Sequence, residues 1–128
     1  GGVNHRMGLY DCIMLKENHI LTIGSLDKSL KKALKKYPEK PIVVEVETMA
    51  QLRSVLSIKG ITRVLCDNFS LIELKEAVKI ARGVYPIEAS GGVNEANIVR
   101  YAETGVDYIS IGSVTKDVAA VDLSLRFS

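Results

Sequence analysis

The stretch RVLCDNFSLIELKEAVKIARGVYPIEAS, residues 63–90, contains a strand, a helix and a second strand in a single run. Residues 63–67 and 84–89 are short and largely apolar, which predicts buried strands. Residues 71–82 repeat apolar side chains at helical spacing, and Ser70 with an acid three residues later has the pattern of a capping box. This unit predicts two parallel strands joined by a right-handed crossover.

The same alternation extends along the whole chain. Further strands are expected at residues 12–16, 42–47 and 108–112, further helices at 26–37, 49–58 and 94–103, and a last strand or edge segment at 121–127. Nearly continuous apolar strands are typical of a parallel sheet. Polar residues recur where the strands end, and (β/α) barrels build their active sites on that rim. We therefore expect an α/β fold, a partial (β/α) barrel, because these units are too few to close a barrel of about eight strands.

Composition excludes several classes of partner. The 128 residues carry 17 basic and 15 acidic side chains, a balance that provides no overall field for nucleic acid or a membrane. The basic run at residues 28–36 alternates with leucines at helical spacing, which indicates a solvated helix face. Cys12 and Cys66 lie in apolar runs, so we expect reduced thiols in a cytoplasmic protein. The first residue is Gly1 and chemistry-bearing residues follow at once, so we expect the natural polypeptide to begin upstream.

Three groups that can carry positive charge fall close to the first strand: His5, Arg6 and Lys16. Arginine offers a bidentate fork and lysine a point charge, so the set suits a substrate with more than one carboxylate. Surface ion pairs would explain the same residues, and charge alone does not separate the two interpretations.

Carboxylates end the next two strands. Glu45 and Glu47 share one face of a strand by its period of two, and Asp67 ends the following strand. Such acids can accept hydrogen bonds from sugar hydroxyls, hold Mg²⁺ or stabilise a developing cation. Alternatively, one of them caps the helix that follows.

Two glycine-containing loops follow the last two strands. Ser90, Gly91 and Gly92 belong to the first loop, and Gly112 with Lys116 to the second. Backbone N–H groups exposed by glycine form anion cradles, and successive loops of this kind match the usual phosphate site of (β/α) barrels.

Seven segments carry a resemblance to a known family. They are GGVNHRMGLYD (1–11), MLKENHI (14–20), EVE (45–47), LCDNFS (65–70), EASGG (88–92), YAETGVDYIS (101–110) and AVDLSL (120–125). In this order they resemble the quinolinate phosphoribosyltransferases, also called carboxylating nicotinate-nucleotide pyrophosphorylases. The resemblance covers essentially the whole chain, residues 1–128, as the C-terminal (β/α)-barrel portion of such an enzyme, without its N-terminal domain.

The resemblance implies an activity and a set of roles. The family converts quinolinate and phosphoribosyl pyrophosphate into nicotinate mononucleotide, CO₂ and pyrophosphate with Mg²⁺, on the route to NAD, and works as a homodimer or higher oligomer. By that resemblance the quinolinate carboxylates would be bound by His5, Arg6 and Lys16. Glu47 and Asp67 would flank the ribose and its metal ion and, with Lys16, act in catalysis. Phosphate would be bound by Ser90, Gly91, Gly92, Gly112 and Lys116.

Two departures from the family pattern qualify these roles. Lys116 stands where most relatives have histidine, which keeps a positive charge for phosphate but not a group that titrates near neutrality. The family's upstream Thr-Arg-Lys-Thr stretch and N-terminal domain, which complete the site of a dimer partner, are absent from this chain. We therefore expect the chain alone to be inactive, and the alternatives are a phosphate-binding half-barrel without catalysis or another phosphosugar-binding barrel enzyme.

Overall fold

The computed structural model describes residues 2–16, 26–117 and 120–126 of the chain. These residues form a five-stranded parallel sheet in the order β1-β2-β3-β4-β5. The strands are β1 (Ile13–Leu15), β2 (Ile42–Val46), β3 (Arg63–Asp67), β4 (Ile87–Ser90) and β5 (Tyr108–Ile109). The helices are α1 (Leu26–Lys36), α2 (Met49–Leu56), α3 (Leu71–Ala81), α4 (Ile98–Ala102) and α5 (Ser113–Lys116).

Each strand pairs with the next one along the chain, so the sheet grows in one direction. A doubly wound sheet would instead reverse its strand order at a switch point. The expected α/β class, parallel strands alternating with helices in a partial barrel, is confirmed.

The two faces of the sheet differ in chemistry because successive side chains of a strand point to opposite sides. One face packs against the helices in an apolar core, to which β2 to β4 contribute Val44, Val46, Val64, Cys66 and Ala89, and α1 to α3 contribute Leu30, Leu52 and Leu74. The other face carries Lys16, Glu45, Arg63, Glu88 and Ser90. The charged groups of the sheet are therefore collected on the side away from the helices.

The capping box expected at Ser70 is confirmed, and a second one begins the preceding helix. Thr48 and Ser70 cap α2 and α3, and each forms a full capping box, with Gln51 and Glu73 respectively. The lysines of α1 are exposed while Leu30 is buried, which confirms the solvated basic face. No helix among the described residues could cross a membrane.

Both cysteines are free, as expected. Cys66 is buried in the core, and this burial raises the pKa of its thiol to about 12.

Two predicted elements begin later than the sequence pattern indicated. Strand β4 starts at Ile87 rather than at residue 84, because the Val84 and Tyr85 N–H groups still bond to the Ala81 carbonyl at the end of α3. Helix α4 starts after residue 97 rather than at 94. The Asn94 side chain accepts a hydrogen bond from Ala96 N at 3.0 Å and thereby closes a separate turn first.

The C-terminal region differs most from expectation. Strand β5 ends at Ile109, and α5 was not predicted. The strand expected at residues 121–127 is wrong for 121–126, which are exposed and unpaired with the sheet, and residue 127 lies outside the described residues. Val121, Leu123 and Leu125 alternate as a strand would, but no neighbouring strand receives them.

Substitution of Gly91 should destabilise the fold more than substitution of Gly83. Both have positive φ, 92° and 77°, but a Cβ on Gly91 would lie 2.9 Å from the Asn68 backbone nitrogen, whereas one on Gly83 would meet nothing within 4 Å. Thermal unfolding should show a loss of about 1 kcal/mol for Gly83→Ala and about 3 kcal/mol for Gly91→Ala. Equal losses would mean that the turn after β4 relaxes around the added methyl group.

The charge of Glu73 should make stability depend on pH. Hydrogen bonds from the Ser70 hydroxyl and N–H lower the pKa of this carboxyl below its ordinary value of 4.5. A group with a lowered folded-state pKa stabilises fully above its unfolded pKa and loses that effect as pH falls through the folded one. A glutamine, Gln51, closes the capping box of α2, so Glu73→Gln keeps a side chain that can close the box of α3 and removes only the charge. The melting temperature of this variant should lie below that of the wild type at neutral pH and approach it in acid. Glu39→Gln, at an exposed position outside any helix, is the control; a gap for Glu73→Gln that is constant with pH would contradict the assignment.

Candidate functional site

A cleft of about 1120 Å³ opens on the polar face of the sheet, at the carboxyl ends of the strands. Seven of the predicted site residues line it, and they come from the chain start, the end of β1 and the loops after β4 and β5: His5, Lys16, Ser90, Gly91, Gly92, Gly112 and Lys116. The sheet order places Lys16, after β1, and Lys116, after β5, at opposite edges. The cleft therefore has two separate cationic sides.

Lys16 enters the cleft paired with an acid. Its Nζ lies 2.6 Å from Glu45 Oε2, and the lysine side chain is about half exposed while Glu45 is largely buried. Leu15 is in register with Val44, so the next residue of each strand falls side by side. Lys16 therefore forms an ion pair, as one of the two interpretations of the sequence predicted. It also lines the cleft.

Three carboxylates gather at the ends of β2 and β3. One oxygen each from Glu45, Glu47 and Asp67 lies within 4.8 Å of the others. Neither Glu47 nor Asp67 is a helix cap, because Thr48 and Ser70 fill those positions, so the capping alternative is wrong. The set consists of oxygen donors alone, which fits a hard cation such as Mg²⁺. Glu45 belongs to this cluster and also lines the cleft, so the two are adjacent.

The glycine loops leave backbone open toward the cleft. Gly91 and Gly92 both have positive φ, and a Cβ placed on Gly92 or Gly112 would meet no atom within 4 Å. Asn68, itself at φ 57°, packs against Gly91 and donates to Asp67 Oδ2 at 2.9 Å. The first loop is thereby joined to the carboxylate cluster.

Three predicted site residues do not line the cleft: Glu47 and Asp67, which belong to the carboxylate cluster, and Arg6. The Arg6 side chain is partly buried. It lies near Asp11, whose pKa is lowered mainly by a hydrogen bond from the Met7 N–H, with a smaller contribution from the Arg6 charge. Its role toward a carboxylate substrate stays a prediction.

A charged network beneath the cleft was not predicted from the sequence. Glu88, in β4, is 1% exposed, and its carboxylate contacts His5, Arg63 and the Ser110 hydroxyl. The Arg63 guanidinium also lies 5.2 Å from the centre of the Tyr108 ring. An acid between two apolar residues of a buried strand was the available signal, since a buried carboxylate requires charged partners.

Comparison with known proteins agrees with the geometry. The family model described as "Quinolinate phosphoribosyl transferase, C-terminal domain" matches residues 1–126. The chain is 38% identical to a quinolinate phosphoribosyltransferase 2a (decarboxylating, mitochondrial) of Nicotiana tabacum, covering 98% of this chain and 41% of that protein. It is also 38% identical to a nicotinate-nucleotide pyrophosphorylase (carboxylating) of Mycobacterium leprae, covering 98% and 45%.

Solved structures give the same result. The nicotinate-nucleotide pyrophosphorylase from Francisella tularensis superposes with a TM-score of 0.90 at 44% identity, over 97% of this chain and 44% of that one. The chain thus spans less than half the length of these relatives. Motif order, sheet and cleft lead to one conclusion: the chain belongs to the quinolinate phosphoribosyltransferase family and corresponds to its C-terminal domain.

Proposed function

We propose that the complete polypeptide containing this chain transfers a phosphoribosyl group from phosphoribosyl pyrophosphate to quinolinate with decarboxylation. The products are nicotinate mononucleotide, CO₂ and pyrophosphate, a step in NAD biosynthesis. The observation that carries the proposal is the cleft, with Lys16 and Lys116 at opposite edges of the sheet and the carboxylate cluster adjoining it at the ends of β2 and β3. Two anionic substrates that react with each other at a developing cation need this distribution of charge.

Quinolinate is assigned to the edge of the sheet formed by β1. His5, Arg6 and Lys16 would bind its two carboxylates. Glu45 already holds Lys16 Nζ at 2.6 Å, so a substrate carboxylate would share or replace that contact. The ammonium group is therefore oriented by a neighbouring strand before substrate arrives, which reduces the entropy lost on binding.

Phosphoribosyl pyrophosphate is assigned to the loops after β4 and β5. Ser90, Gly91, Gly92 and Gly112 would offer N–H and hydroxyl donors to its phosphate oxygens, and Lys116 would add a positive charge. Lysine in place of the family's usual histidine suits binding rather than proton transfer at neutral pH.

The carboxylate cluster is assigned to the transfer step. As the pyridine nitrogen attacks the anomeric carbon and pyrophosphate leaves, positive charge grows on the sugar. Glu47 and Asp67 would stabilise this charge and accept hydrogen bonds from the ribose hydroxyls. Mg²⁺, held by Glu47 and Asp67 directly or through water, would neutralise the leaving pyrophosphate.

Decarboxylation then needs no nucleophile from the protein. The ring nitrogen becomes quaternary next to the 2-carboxylate, and its positive charge stabilises the electron pair that the breaking C–C bond leaves on the ring carbon. CO₂ departs, and that carbon then takes up a proton from solvent. His5 and Arg6 would hold the other carboxylate during this step. Buried residues at the floor of the cleft, such as the apolar Leu65 and the ion-paired Glu88, would limit the access of water.

The remaining assignments concern the whole protein. We propose that residues 1–128 serve as the C-terminal portion of a homodimer or higher oligomer, in a (β/α) barrel completed by other parts of the polypeptide. Two free cysteines support a reducing compartment such as the cytoplasm. Plant relatives carry mitochondrial and chloroplastic names, so organelle targeting is the competing possibility.

The two edges of the cleft should bind different anions. In the complete polypeptide, titration calorimetry should show binding of both phthalate, a quinolinate mimic, and phosphoribosyl pyrophosphate. Lys16→Met should weaken phthalate about tenfold or more and Lys116→Met should weaken phosphoribosyl pyrophosphate to a similar degree, because each removes one charge-assisted contact. Binding of phosphoribosyl pyrophosphate without phthalate, together with no turnover of quinolinate, would favour a generic phosphate-binding domain instead.

Glu47 and Asp67 should act on turnover more than on affinity. Glu47→Gln and Asp67→Asn keep the size of each side chain and remove its charge, so kcat should fall on the order of a hundredfold while KM values change little. Glu103→Gln, which removes an exposed carboxylate at the end of α4, serves as the control. A loss of melting temperature with kcat preserved would assign the two acids to stability alone.

A further inference from the structure

Glu88 combines deep burial with an unusual number of polar contacts. Its side chain is 1% exposed, and each oxygen has a close partner, although the contact of Oε2 with Arg63 is an ion pair without hydrogen-bond geometry. Oε1 accepts a hydrogen bond from the Ser110 hydroxyl and lies 3.1 Å from His5 Nε2. Oε2 lies 2.5 Å from Arg63 Nε. One carboxylate thus links β3, β4, the residue after β5 and the segment that precedes β1.

Arg63 already supplies the countercharge that burial of Glu88 requires. The two residues stand on adjacent strands, and the Arg63 guanidinium is packed beside the Tyr108 ring at 5.2 Å. This pair is therefore held by the sheet itself. A buried carboxylate with one close cation and one hydroxyl donor is already compensated. The contact to His5 is a third one, beyond this charge pair and hydroxyl donor.

His5 is the member of this network whose position depends on the contact. It lies in a segment without helix or strand, and its imidazole is about one-third exposed and lines the cleft. Nothing in its local backbone pattern fixes the direction of the ring. The contact of Nε2 with Glu88 does so, and it leaves Nδ1 as the ring nitrogen that Glu88 does not engage.

We propose that Glu88 is a positioning residue, which holds His5 by Nε2 so that its Nδ1 edge faces the aromatic dicarboxylate in the cleft. Arg63 pairs with Oε2 and the Ser110 hydroxyl donates to Oε1, so these two contacts hold the Glu88 carboxylate in place. The inference rests on the proposed function, because it deepens the role given there to His5. Its effect is confined to the dicarboxylate side and does not extend to the phosphoribosyl donor.

A double-mutant cycle in the complete polypeptide tests the inference. The variants are His5→Ala, Glu88→Gln and the two combined, and the readouts are kcat, KM for each substrate and melting temperature. Glu88→Gln should raise KM for quinolinate about tenfold, the usual effect of losing a charge-assisted contact, and leave KM for phosphoribosyl pyrophosphate nearly unchanged. In the His5→Ala background the same substitution should change KM for quinolinate by less than about twofold, because a residue that acts through another cannot act in its absence.

A second variant separates positioning from simple charge compensation. Glu88→Gln leaves Arg63 without its partner, so it also lowers stability and could prevent folding. Arg63→Met combined with Glu88→Gln removes both charges and should restore the melting temperature toward the wild type. KM for quinolinate should stay raised in this charge-free variant. Its return to the wild-type value would overturn the inference, since Glu88 would then only neutralise Arg63.

A matched pair elsewhere in the chain provides the control. Nη2 of Arg53, in α2, lies 2.5 Å from Oε1 of Glu76, in α3, and both side chains are about half exposed. Glu76→Gln makes the same chemical change and should leave both KM values as in the wild type. Additive effects of His5→Ala and Glu88→Gln would overturn the inference alone. Absence of quinolinate turnover in the wild type would overturn the proposed function and this inference with it.

Discussion

The alternation of side chains along five parallel strands is the constraint on which the rest of the structure depends. Every second residue of β2, β3 and β4 is committed to the helix-facing core, so the residues between them must face the other way. Glu45, Arg63 and Glu88 occupy such intermediate positions. A shift of one residue in any strand would bury these charges among leucines and valines. Hydrophobic burial on one face therefore fixes the arrangement of charge on the other.

Much of the fold could be predicted from the sequence because the signals for its strands and helix starts are local. The capping boxes at Thr48 and Ser70 need only neighbouring residues, and the apolar runs identify the strands. Residues 121–126 show where local pattern fails: they alternate like a strand, but pairing depends on a partner that the pattern does not name. The role of Glu88 was equally hidden, since its partners His5 and Arg63 are distant in sequence. The family resemblance assigned roles to residues at the strand ends and gave none to Glu88, which lies below them.

Two basic side chains of the cleft contact acids of the protein itself. Lys16 is paired with Glu45, and His5 with Glu88. Such pairing keeps a cationic cleft from disrupting the fold in the absence of ligand, because like charges at close range are costly. It also means that anion binding must compete with internal carboxylates. Affinity for a dicarboxylate then depends on how much of each pairing survives when the ligand is bound.

The consecutive strand order has a consequence for how the chain reaches this structure. Register partners such as Val43 and Arg63, or Glu88 and Tyr108, are each separated by about 20 residues, so no strand pairing has to close a much longer loop than its neighbour. Each new strand can pair with the edge of the previous strand, and the helix between the two strands covers the core as the pair forms. Contacts of uniform, moderate separation favour growth of the sheet from any early pair. The same geometry leaves an edge strand at every stage, with free N–H and C=O groups to which a further parallel strand can pair.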